Sequence, residues 1–319
     1  AGTSDEGNTI SDFDKQEIAR HISINTSVIP IEWDDVKVNI LDTPGSLDFV
    51  GEVEEALSAA DCAIIVVSGK NGVESGTKRA WRMCEKHNLP RMVFVTEMDI
   101  DDASYRQVVE DLQNLYGKKI APFHLPIRKD GEFVGYVNII QQIGKRWNGD
   151  GAPEHCDVPD YNQEYLEKYR EALMVSVAET SEEFMDRYFG GEEFSEDEIR
   201  QALRANVGTG DIVPVMMGSN TLNRGQYTML VDIVKYLPSP EDRKVSGINA
   251  NPNEVYEANY DFSKPKSAYV FKTIVDPFVG KYSLIKVNSG VLKTDDLLYN
   301  KHKETEEKIG KLYVLTGSK

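Results

Sequence analysis

The chain has 319 residues, a length typical of two or three domains, and its 40% hydrophobic and 28% charged residues indicate a globular protein. The formal net charge of −17 disfavours non-specific binding to nucleic acid or to anionic membranes, because both need a basic surface. Cysteines without metal-ligand spacing, and the lack of an apolar run near the roughly 20 residues of a membrane span, predict a cytoplasmic protein with neither a membrane nor a specific DNA sequence as partner.

The first part of the chain, after a polar loop at 1–8, predicts alternating strands and helices. In chain order, these are a hairpin of Val28–Trp33 and Val36–Leu41, a helix from Val50 to Ala60, a strand at Ala63–Val67, a helix from Val73 to Cys84, a strand at Met92–Val95 and a helix from Val108 to Leu115. We expect the two single strands to be buried on both faces. The alternation predicts a parallel sheet covered by helices, with the hairpin as its antiparallel edge.

The pattern changes after Pro126. In order, the later elements are a β-run at Phe133–Ile139, an acidic helical region from Asn162 to Ala205, a strand at Ile212–Met217, a helix at Tyr227–Leu237 ended by Pro238, and a linker-like stretch, 245–265. From Ser267 the runs SAYVFKTIV, YSLIKVNSGVL and KIGKLYVL, with turns at Asp276-Pro277 and Ser289-Gly290, predict the start of a small β-barrel.

The strongest local motif is Asp42-Thr43-Pro44-Gly45, directly after a predicted strand. A carboxylate at the carboxyl end of a strand lies where doubly wound folds bind ligands. Asp42 is suited to hold Mg²⁺, usually through water, and Gly45 lets a terminal phosphate approach its amide without a Cβ in the way. The alternative is ordinary turn chemistry between a strand and a helix.

Two further motifs follow predicted strands. In Thr96-Glu97-Met98-Asp99, the Asp99 carboxylate is suited to accept hydrogen bonds from a guanine ring N–H and its exocyclic amino group; the alternative is an Asp that caps the next helix. In Gly218-Ser219-Asn220, backbone N–H groups are placed to meet a base carbonyl, although Gly-Ser after a strand is usually only a loop. Taken in this order, the three motifs predict loops that meet along the rim of one sheet and form a purine-nucleotide pocket.

These motifs, and longer runs around them, resemble elongation factor G, a translation GTPase. LDTPGSLDFVGEVEEAL is similar to the family's IIDTPGHVDFTVEVERSL, and VESGTKRAWRMCEKHNLPRMVFV, SEEFMDRYFGGEEFSEDEIRQALR, VDIVKYLPSP and DPFVGKYSLIKVNSGVL are also similar to family runs. The resemblance implies an α/β fold with a P-loop-GTPase-like, mostly parallel sheet, an inserted α+β subdomain and a partial translation-factor β-barrel. The implied ranges are 1–244 for the GTPase-like domain, about 123–206 for its insertion, 245–266 for a linker and 267–319 for the barrel.

The resemblance also implies a function and a set of site residues. It implies a factor that acts at the factor-binding site of the ribosome, uses GTP or GDP with Mg²⁺, and contacts ribosomal stalk proteins through the insertion. Arg20-His21-Ile22-Ser23-Ile24 is similar to the family's RGITI, which implies that Ser23 joins Asp42 at the metal. The implied nucleotide contacts are Asp42, Thr43, Pro44, Gly45, Thr96, Glu97, Asp99, Gly218, Ser219 and Asn220.

Three departures from the family pattern predict impaired nucleotide chemistry. A phosphate-binding loop, GxxxxGK followed by Ser or Thr, is not visible; Gly2–Thr9 has the glycine spacing but lacks the Lys, so we expect the family's front segment to be absent. The guanine motif NKMD has Thr96 and Glu97 in place of Asn and Lys. Ser46 stands where the family has the His that positions the attacking water. Either this is a competent factor cut short or a degenerate one, and the alternative function is a non-catalytic ribosome-binding module or a ribosome-protection factor.

The acidic run 190–198 has two explanations. Ser195 followed by Glu198 three residues later predicts a capping box that starts a solvated helix. The alternative is a dedicated binding patch on the insertion, for which the stalk proteins are the implied partner.

Overall fold

The structure, a computed structural model, describes residues 2–149, 152–248, 255–276 and 280–318. Contacts between residues divide the chain into two compact units, one of Ala1–Asp61 with Ser239–Lys319 and the other of Cys62–Pro238. Among the helices of these described ranges, none combines the length and the apolar character needed to cross a lipid bilayer.

The first segment of the first unit contains the predicted hairpin. Its elements are α1 (Lys15–Arg20), β1 (Ser27–Trp33), β2 (Val36–Asp42) and α2 (Val50–Ala59). β1 and β2 pair antiparallel around Asp34 and Asp35, which both adopt left-handed backbone angles, φ 49° and 59°, as a two-residue hairpin turn requires. The hairpin is confirmed. It forms its own two-stranded sheet, so the expectation that it extends the parallel sheet is wrong.

The second unit contains the parallel sheet. Its first elements are β3 (Ala63–Ser68), α3 (Ser75–Lys86), β4 (Arg91–Thr96), α4 (Tyr105–Tyr116) and β5 (Ile120–Pro122). The strand order is β3, β4, a later strand (Val213–Met217) and β5, all parallel. The five residues Arg91–Val95 of β4 are buried, as predicted. The same expectation is wrong for β3, where Val66 is 61% exposed, because β3 lies at the edge of the sheet and fewer side chains cover it.

The interval between β5 and the strand at Val213–Met217 contains an α+β insertion. Its elements are β6 (His124–Lys129), β7 (Glu132–Asn138), β8 (Ile143–Arg146), β9 (Glu154–Cys156), α5 (Asp160–Ala178), α6 (Glu182–Phe189) and α7 (Glu196–Thr209). The four strands form an antiparallel sheet in sequential order. Ser195 and Glu198 form the predicted capping box at the start of α7. The unit ends with β10 (Val213–Met217) and α8 (Gln226–Tyr236), after which Leu237 is extended before Pro238.

The core of the second unit lies around β4 and β10, because every residue of β10 is buried and the helices cover both strands. Trp81 of α3 is 1% exposed and stacks on Tyr116 of α4 with ring centroids 3.8 Å apart. Tyr105 of α4 donates its buried hydroxyl to the Val215 carbonyl at 3.0 Å. These contacts fix the helices on the sheet and therefore fix the loops that follow its strands.

The remaining segment of the first unit is a set of short antiparallel pairs. Its elements are β11 (Ser246–Ile248), β12 (Val255–Glu257), β13 (Ser267–Asp276), β14 (Gly280–Ser289), β15 (Leu297–Asn300) and β16 (Thr305–Lys308), paired as β11–β12, β13–β14 and β15–β16. The linker-like stretch therefore contains a small hairpin. The last two pairs form the partial barrel region, and Lys272 of β13 makes an ion pair with Glu52 of α2.

Two expectations about the barrel segment differ from the structure or lie outside it. A strand throughout KIGKLYVL is wrong beyond Lys308, because 309–316 has no regular structure and Tyr313 and Val314 are 71% and 73% exposed. An apolar run becomes a strand only where a second strand supplies its hydrogen bonds, and no described strand pairs with this run. The predicted turn at Asp276-Pro277 lies outside the described residues at Pro277, whereas Gly290 has the positive φ, 66°, of a turn.

Candidate functional site

The loops after β4 and β10 are joined by backbone hydrogen bonds at the carboxyl end of the parallel sheet. The Gly218 N–H donates to the Val95 carbonyl at 2.9 Å, and the Met98 N–H donates to the Gly218 carbonyl at 3.2 Å. β4 and β10 are adjacent and parallel, so their ends meet at one rim. The structure therefore brings the Thr96–Asp99 and Gly218–Asn220 motifs together, as their positions after two buried strands predict.

The first loop, after β4, contains the Asp99 carboxylate. This carboxylate is half-buried and has no hydrogen-bond or ion-pair partner in the part of the chain that the structure describes. A carboxylate without a hydrogen-bond or ion-pair partner in the protein can accept two donors from a ligand. The helix-cap alternative for Asp99 is wrong, because Ser104 supplies the cap of α4.

Glu97 differs from an ordinary exposed glutamate in its backbone conformation and in the partner of its carboxylate. It has a left-handed backbone, φ 61°, and its carboxylate accepts a short hydrogen bond from the Ser68 hydroxyl at the end of β3. Ser68 in turn accepts from the Asn71 N–H at 3.0 Å. The Glu97 side chain is therefore held by the neighbouring strand end instead of extending freely from the loop.

The second loop is built around Gly218 and Ser219. A Cβ at Gly218 would lie 2.5 Å from both the Arg224 carbonyl oxygen and the Phe94 ring, so only glycine fits there. Ser219 is fully buried; its N–H donates to the Arg224 carbonyl at 2.8 Å, and its hydroxyl accepts from the Leu222 N–H at 3.1 Å. The Gly218 and Ser219 amides are thus engaged. Of the three residues, Asn220 is the one whose backbone N–H donates no hydrogen bond to a described residue.

The Asp42–Gly45 motif lies in the other compact unit, at the end of β2. β2 pairs with β1 alone among the described strands, so the expectation that Asp42 follows a strand of the parallel sheet is wrong. Thr43 is half-buried and Pro44 is buried. Apart from Gly45 itself and its two chain neighbours, no described residue has an atom within 4 Å of the position that a Cβ on Gly45 would occupy. Packing therefore does not require a glycine there.

Asp42 and the predicted metal ligand Ser23 share a neighbour, Asp12. The Ser23 hydroxyl donates to the Asp12 carboxylate at 2.7 Å. Burial raises the pKa of Asp42, a hydrogen bond from the Ser11 side chain lowers it, and the negative charges of Asp12 and Glu17 raise it again. Asp42 and Ser23 thus share surroundings rich in side-chain oxygen atoms, with an excess of negative charge. Sequence patterns did not identify Asp12, because it lies in an irregular segment with no motif around it.

The same segment is organised by Glu17. Its carboxylate, buried at 1% exposure, accepts hydrogen bonds from the backbone N–H groups of Asp14, Ile24 and Asn25 at 3.0, 3.0 and 2.9 Å. Three amide donors satisfy a buried carboxylate well. They also fix the chain on both sides of Ser23, so the position of its hydroxyl is defined by structure and not by a free loop.

Mg²⁺ fits these residues on chemical grounds. It prefers oxygen ligands, typically one or two carboxylates together with phosphate oxygens and waters, and Asp42 and Ser23 offer a carboxylate and a hydroxyl. Within the described ranges, no group of three or more His, Cys, Asp or Glu side chains is arranged to hold a metal by itself. Any ion here would therefore depend on a ligand's phosphates for part of its coordination.

Ser46 has a local structural role. It is the N-cap of a short 3₁₀ helix, Leu47–Phe49, and its hydroxyl accepts from the Asp48 N–H at 3.3 Å. A side chain in this role points toward the helix start. The structure thus assigns Ser46 to the beginning of the segment that leads into α2, directly after Gly45.

Comparison with known proteins agrees with the resemblance found in the sequence. The elongation factor Tu GTP-binding domain family matches residues 1–239. Elongation factor G of Neorickettsia sennetsu is 38% identical over 318 residues, which cover 98% of this chain and 46% of that protein. A crystal structure of a protein from Thermus thermophilus superposes with a TM-score of 0.86 at 31% identity, over 100% of this chain and 45% of that one. The chain spans about half the length of the relatives it matches.

The family model matches most of the chain, and the similar relative and the similar solved structure agree with that match. The similarity to the solved structure also confirms the α/β fold predicted from the sequence, with its parallel sheet and its additional antiparallel pairs. The chain belongs to the family of the elongation factor Tu GTP-binding domain, and within that family its sequence is similar to elongation factor G.

Proposed function

We propose that this chain is the guanine-nucleotide-binding part of an elongation-factor-G-like factor that acts on the ribosome, in the cytoplasm, with slowed GTP hydrolysis. The observation that supports it most is the pairing of the Asp99 loop with the Gly218–Asn220 loop at one sheet rim. Asp99 accepts from the guanine ring N–H and amino group, and the Asn220 amide donates to the base carbonyl. A base that donates two hydrogen bonds on one side and accepts one on its carbonyl matches guanine, so these contacts give guanine specificity.

Base affinity is proposed to be weaker than the family pattern provides. Thr96 has no side-chain amide to join the base-binding loops, and backbone hydrogen bonds between Met98, Gly218 and Val95 hold them instead. Glu97 replaces a cation with an anion, but the Ser68 hydroxyl holds its carboxylate. Each missing buried hydrogen bond costs on the order of 1–3 kcal/mol, so the loss is one of affinity more than of base choice.

A phosphate-binding role is proposed for the loop after β2, with Asp42, Thr43, Pro44 and Gly45. The open space at Gly45 supports a close approach of a phosphate, since no described atom fills it. Asp42 and Ser23 would hold Mg²⁺, which neutralises phosphate charge when bound. For that, the Ser23 hydroxyl has to exchange its hydrogen bond to Asp12 for the ion. The negative charge around Asp42 favours a cation there.

The test of the guanine site is the variant Asp99→Asn. An amide has a donor where the carboxylate had only acceptors, so the variant should lose GDP affinity and gain affinity for xanthosine diphosphate, whose ring has a carbonyl at the position of the guanine amino group. We expect a reversal of preference by at least about tenfold, measured by equilibrium fluorescence titration of the intact protein.

Asp101→Asn, an exposed carboxylate of the same loop, is the matched control and should leave the preference unchanged. Equal affinity of the Asp99 variant for both nucleotides would contradict the proposed base contact. If the unaltered protein binds neither GDP nor GTP, the nucleotide-binding proposal as a whole fails.

A second candidate is a ribosome-binding module that does not hydrolyse GTP. The observation in its favour is Ser46, whose hydroxyl caps a helix where the family has the His that positions water. Turnover of GTP by the unaltered protein on ribosomes decides between the two. Multiple turnovers support the slowed enzyme, whereas binding of GTP and ribosomes without turnover supports the module or a ribosome-protection role.

A further inference from the structure

Arg128 lies in the insertion, yet its side chain reaches the loop that contains Asp99. Its Nη2 atom donates to the Met98 carbonyl at 2.8 Å and to the Ala103 carbonyl at 3.3 Å, and its Nη1 atom donates to the Gly131 carbonyl at 2.8 Å. One guanidinium therefore joins the residue before Asp99 to the residue before the cap of α4. The two ends of the 98–103 loop are held by a single planar group.

Both peptide groups that flank Met98 are held by hydrogen bonds. Its N–H donates to the Gly218 carbonyl at 3.2 Å, and its carbonyl accepts from Arg128 at 2.8 Å. The Met98 side chain is fully buried. Rotation of the peptide group between Met98 and Asp99 would move Asp99, and the hydrogen bond from Arg128 to its carbonyl resists that rotation. The hydrogen bond from the Met98 N–H to Gly218 holds the preceding peptide group.

Arg128 is itself fixed by the fold. The pairing of β6 with β7 shifts register between Ile127 and Arg128, and an irregularity of this kind re-aims a side chain. Tyr161 of α5 makes two hydrogen bonds with the backbone of Arg128. Its hydroxyl accepts from the Arg128 N–H at 2.9 Å and donates to the Arg128 carbonyl at 3.0 Å. A continuous set of hydrogen bonds thus connects α5 with the Asp99 loop through one arginine.

A cleft of about 280 Å³ lies beside this contact, lined by Met98, Tyr105, Arg106, Leu125, Arg128 and Tyr165 among others. The cleft leaves room around the guanidinium. Packing alone therefore does not hold the loop against the insertion, and the hydrogen bonds of Arg128 are needed to define its position.

We propose that Arg128 is a positioning residue for guanine selectivity, which couples the insertion to the loop that presents Asp99. This inference rests on the proposed nucleotide site. Arg128 does not touch the base; it fixes the peptide that aims the Asp99 carboxylate. Movement of α5 or of the β6–β7 sheet would reach the nucleotide through it.

The test compares Arg128→Gln with Arg128→Lys and Arg170→Gln. Gln keeps much of the length but loses the charged fork, Lys keeps a charged donor, and Arg170 is a matched control because it also donates to backbone carbonyls, those of Ile139 and Ile140, away from the Asp99 loop. The first measurement, without nucleotide, is hydrogen exchange of the Met98 amide. We expect about tenfold faster exchange in Arg128→Gln, partial recovery in Arg128→Lys, and no change in Arg170→Gln.

The second measurement is the ratio of affinities for GDP and inosine diphosphate. Inosine diphosphate lacks the amino group whose hydrogen bond the Asp99 carboxylate is proposed to accept. We expect this ratio to fall at least about fivefold in Arg128→Gln, to recover in part with Lys and to stay constant in Arg170→Gln. Unchanged exchange and an unchanged ratio in Arg128→Gln would overturn the inference, as would equal effects of Arg170→Gln. If the unaltered protein binds no nucleotide, the proposed function fails, while the exchange comparison still decides whether Arg128 holds the loop. If the Gln variant does not fold, the Lys variant decides between these outcomes by the same two measurements.

Discussion

At the scale of single residues, Ser46 combines two roles, one observed as a helix cap and one expected in orienting water. As an N-cap it satisfies the Asp48 N–H, and at the position of the family's His it is expected to orient water. A hydroxyl bonded to a helix start is short and already engaged. Slow hydrolysis follows from this geometry if the site acts as proposed.

The variant Ser46→His should raise ribosome-stimulated GTP turnover by at least about tenfold, because general acid–base groups contribute about 10²–10⁴-fold in well-formed sites. It should also lower the stability of the protein by about 1 kcal/mol, since His is a poorer N-cap than Ser. Phosphate release under single-turnover conditions measures the first effect and chemical denaturation the second.

Ser58→His is the control for Ser46→His, because Ser58 is an exposed serine of the adjacent helix α2. It should change neither turnover nor the start of the 3₁₀ helix. Turnover of Ser46→His that remains at the unaltered rate would contradict the assignment of this position to hydrolysis.

The sequence predicted where single residues lie in the fold, but not which hydrogen-bond partners they have. That Asp99 and Gly218 lie at strand ends follows from two buried apolar runs, which fix where parallel strands stop. The engagement of the Ser219 amide with Arg224, and of the Ser23 hydroxyl with Asp12, could not be predicted. These partners depend on loop conformations, in which no periodic pattern links one residue to another.

At the scale of elements, the junction between α8 and the inserted sheet contains a buried polar pair. Asp232 of α8 has an oxygen 3.4 Å from Nε2 of His124 on β6, and both side chains are almost fully buried. Burial raises the pKa of Asp232 to about 7, and Lys235 and Lys145 lower it only in part. Burial lowers the pKa of His124 to about 3, so its imidazole is neutral at physiological pH.

The sign of the resulting pH dependence follows from Asp232. Its pKa in the folded protein, about 7, lies above the ordinary value of 3.8, so the folded state binds more protons than the unfolded state between these values. The free energy of unfolding contributed by this group therefore falls as pH rises through this window. Above it the carboxylate is charged, buried and without a hydrogen bond to its Oδ2 atom from any described residue.

The variant Asp232→Asn should be more stable than the unaltered protein at pH 8.5, and this advantage should exceed the one at pH 5 by about 1–3 kcal/mol, because the amide removes the buried charge that Asp232 gains as pH rises through its pKa of about 7. Chemical denaturation at the two pH values measures the difference. His124 titrates in both proteins, so its own loss of stability at low pH largely cancels.

Asp211→Asn, at an exposed carboxylate of the same unit, is the control and should show no such dependence on pH. An effect of Asp232→Asn that is the same at pH 5 and pH 8.5 would show that the Asp232 carboxyl keeps an ordinary pKa.

Elements with a strong periodic pattern were predicted correctly, and the errors concern their surroundings. The helices α2, α3, α4 and α8 and the strands β4 and β10 lie where apolar spacing places them. The exposure of Val66 and the irregular KIGKLYVL run were missed, because local sequence does not say whether a strand has neighbours on both sides.

At the scale of the whole molecule, the proposed partner is the ribosome, with the stalk proteins at the insertion. Phe189, at the end of α6, is 80% exposed, although its neighbour Phe184 packs against Phe194 with ring centroids 4.9 Å apart. An exposed aromatic ring beside a satisfied aromatic cluster is the kind of anchor that protein interfaces use.

Phe189→Ala should therefore weaken binding of purified ribosomal stalk protein by about 5- to 30-fold, the effect of an interface anchor, while it changes stability by less than about 0.5 kcal/mol. Isothermal titration calorimetry measures the affinity. Phe262→Ala is a matched control at a ring that is 77% exposed in the other compact unit. Equal binding by the two variants would exclude Phe189 as the anchor.

The sequence by itself determined the family, the helices and strands with a strong periodic pattern and the position of each motif at a strand end, because these depend on the type and spacing of neighbouring residues. Only the tertiary structure decided that β2 pairs outside the parallel sheet, that Asp12 lies beside the Asp42 and Ser23 pair, and that Arg128 reaches the Asp99 loop from the insertion. Such contacts join residues far apart in the chain, and their free energy depends on how loops and sheets pack, which local patterns do not encode.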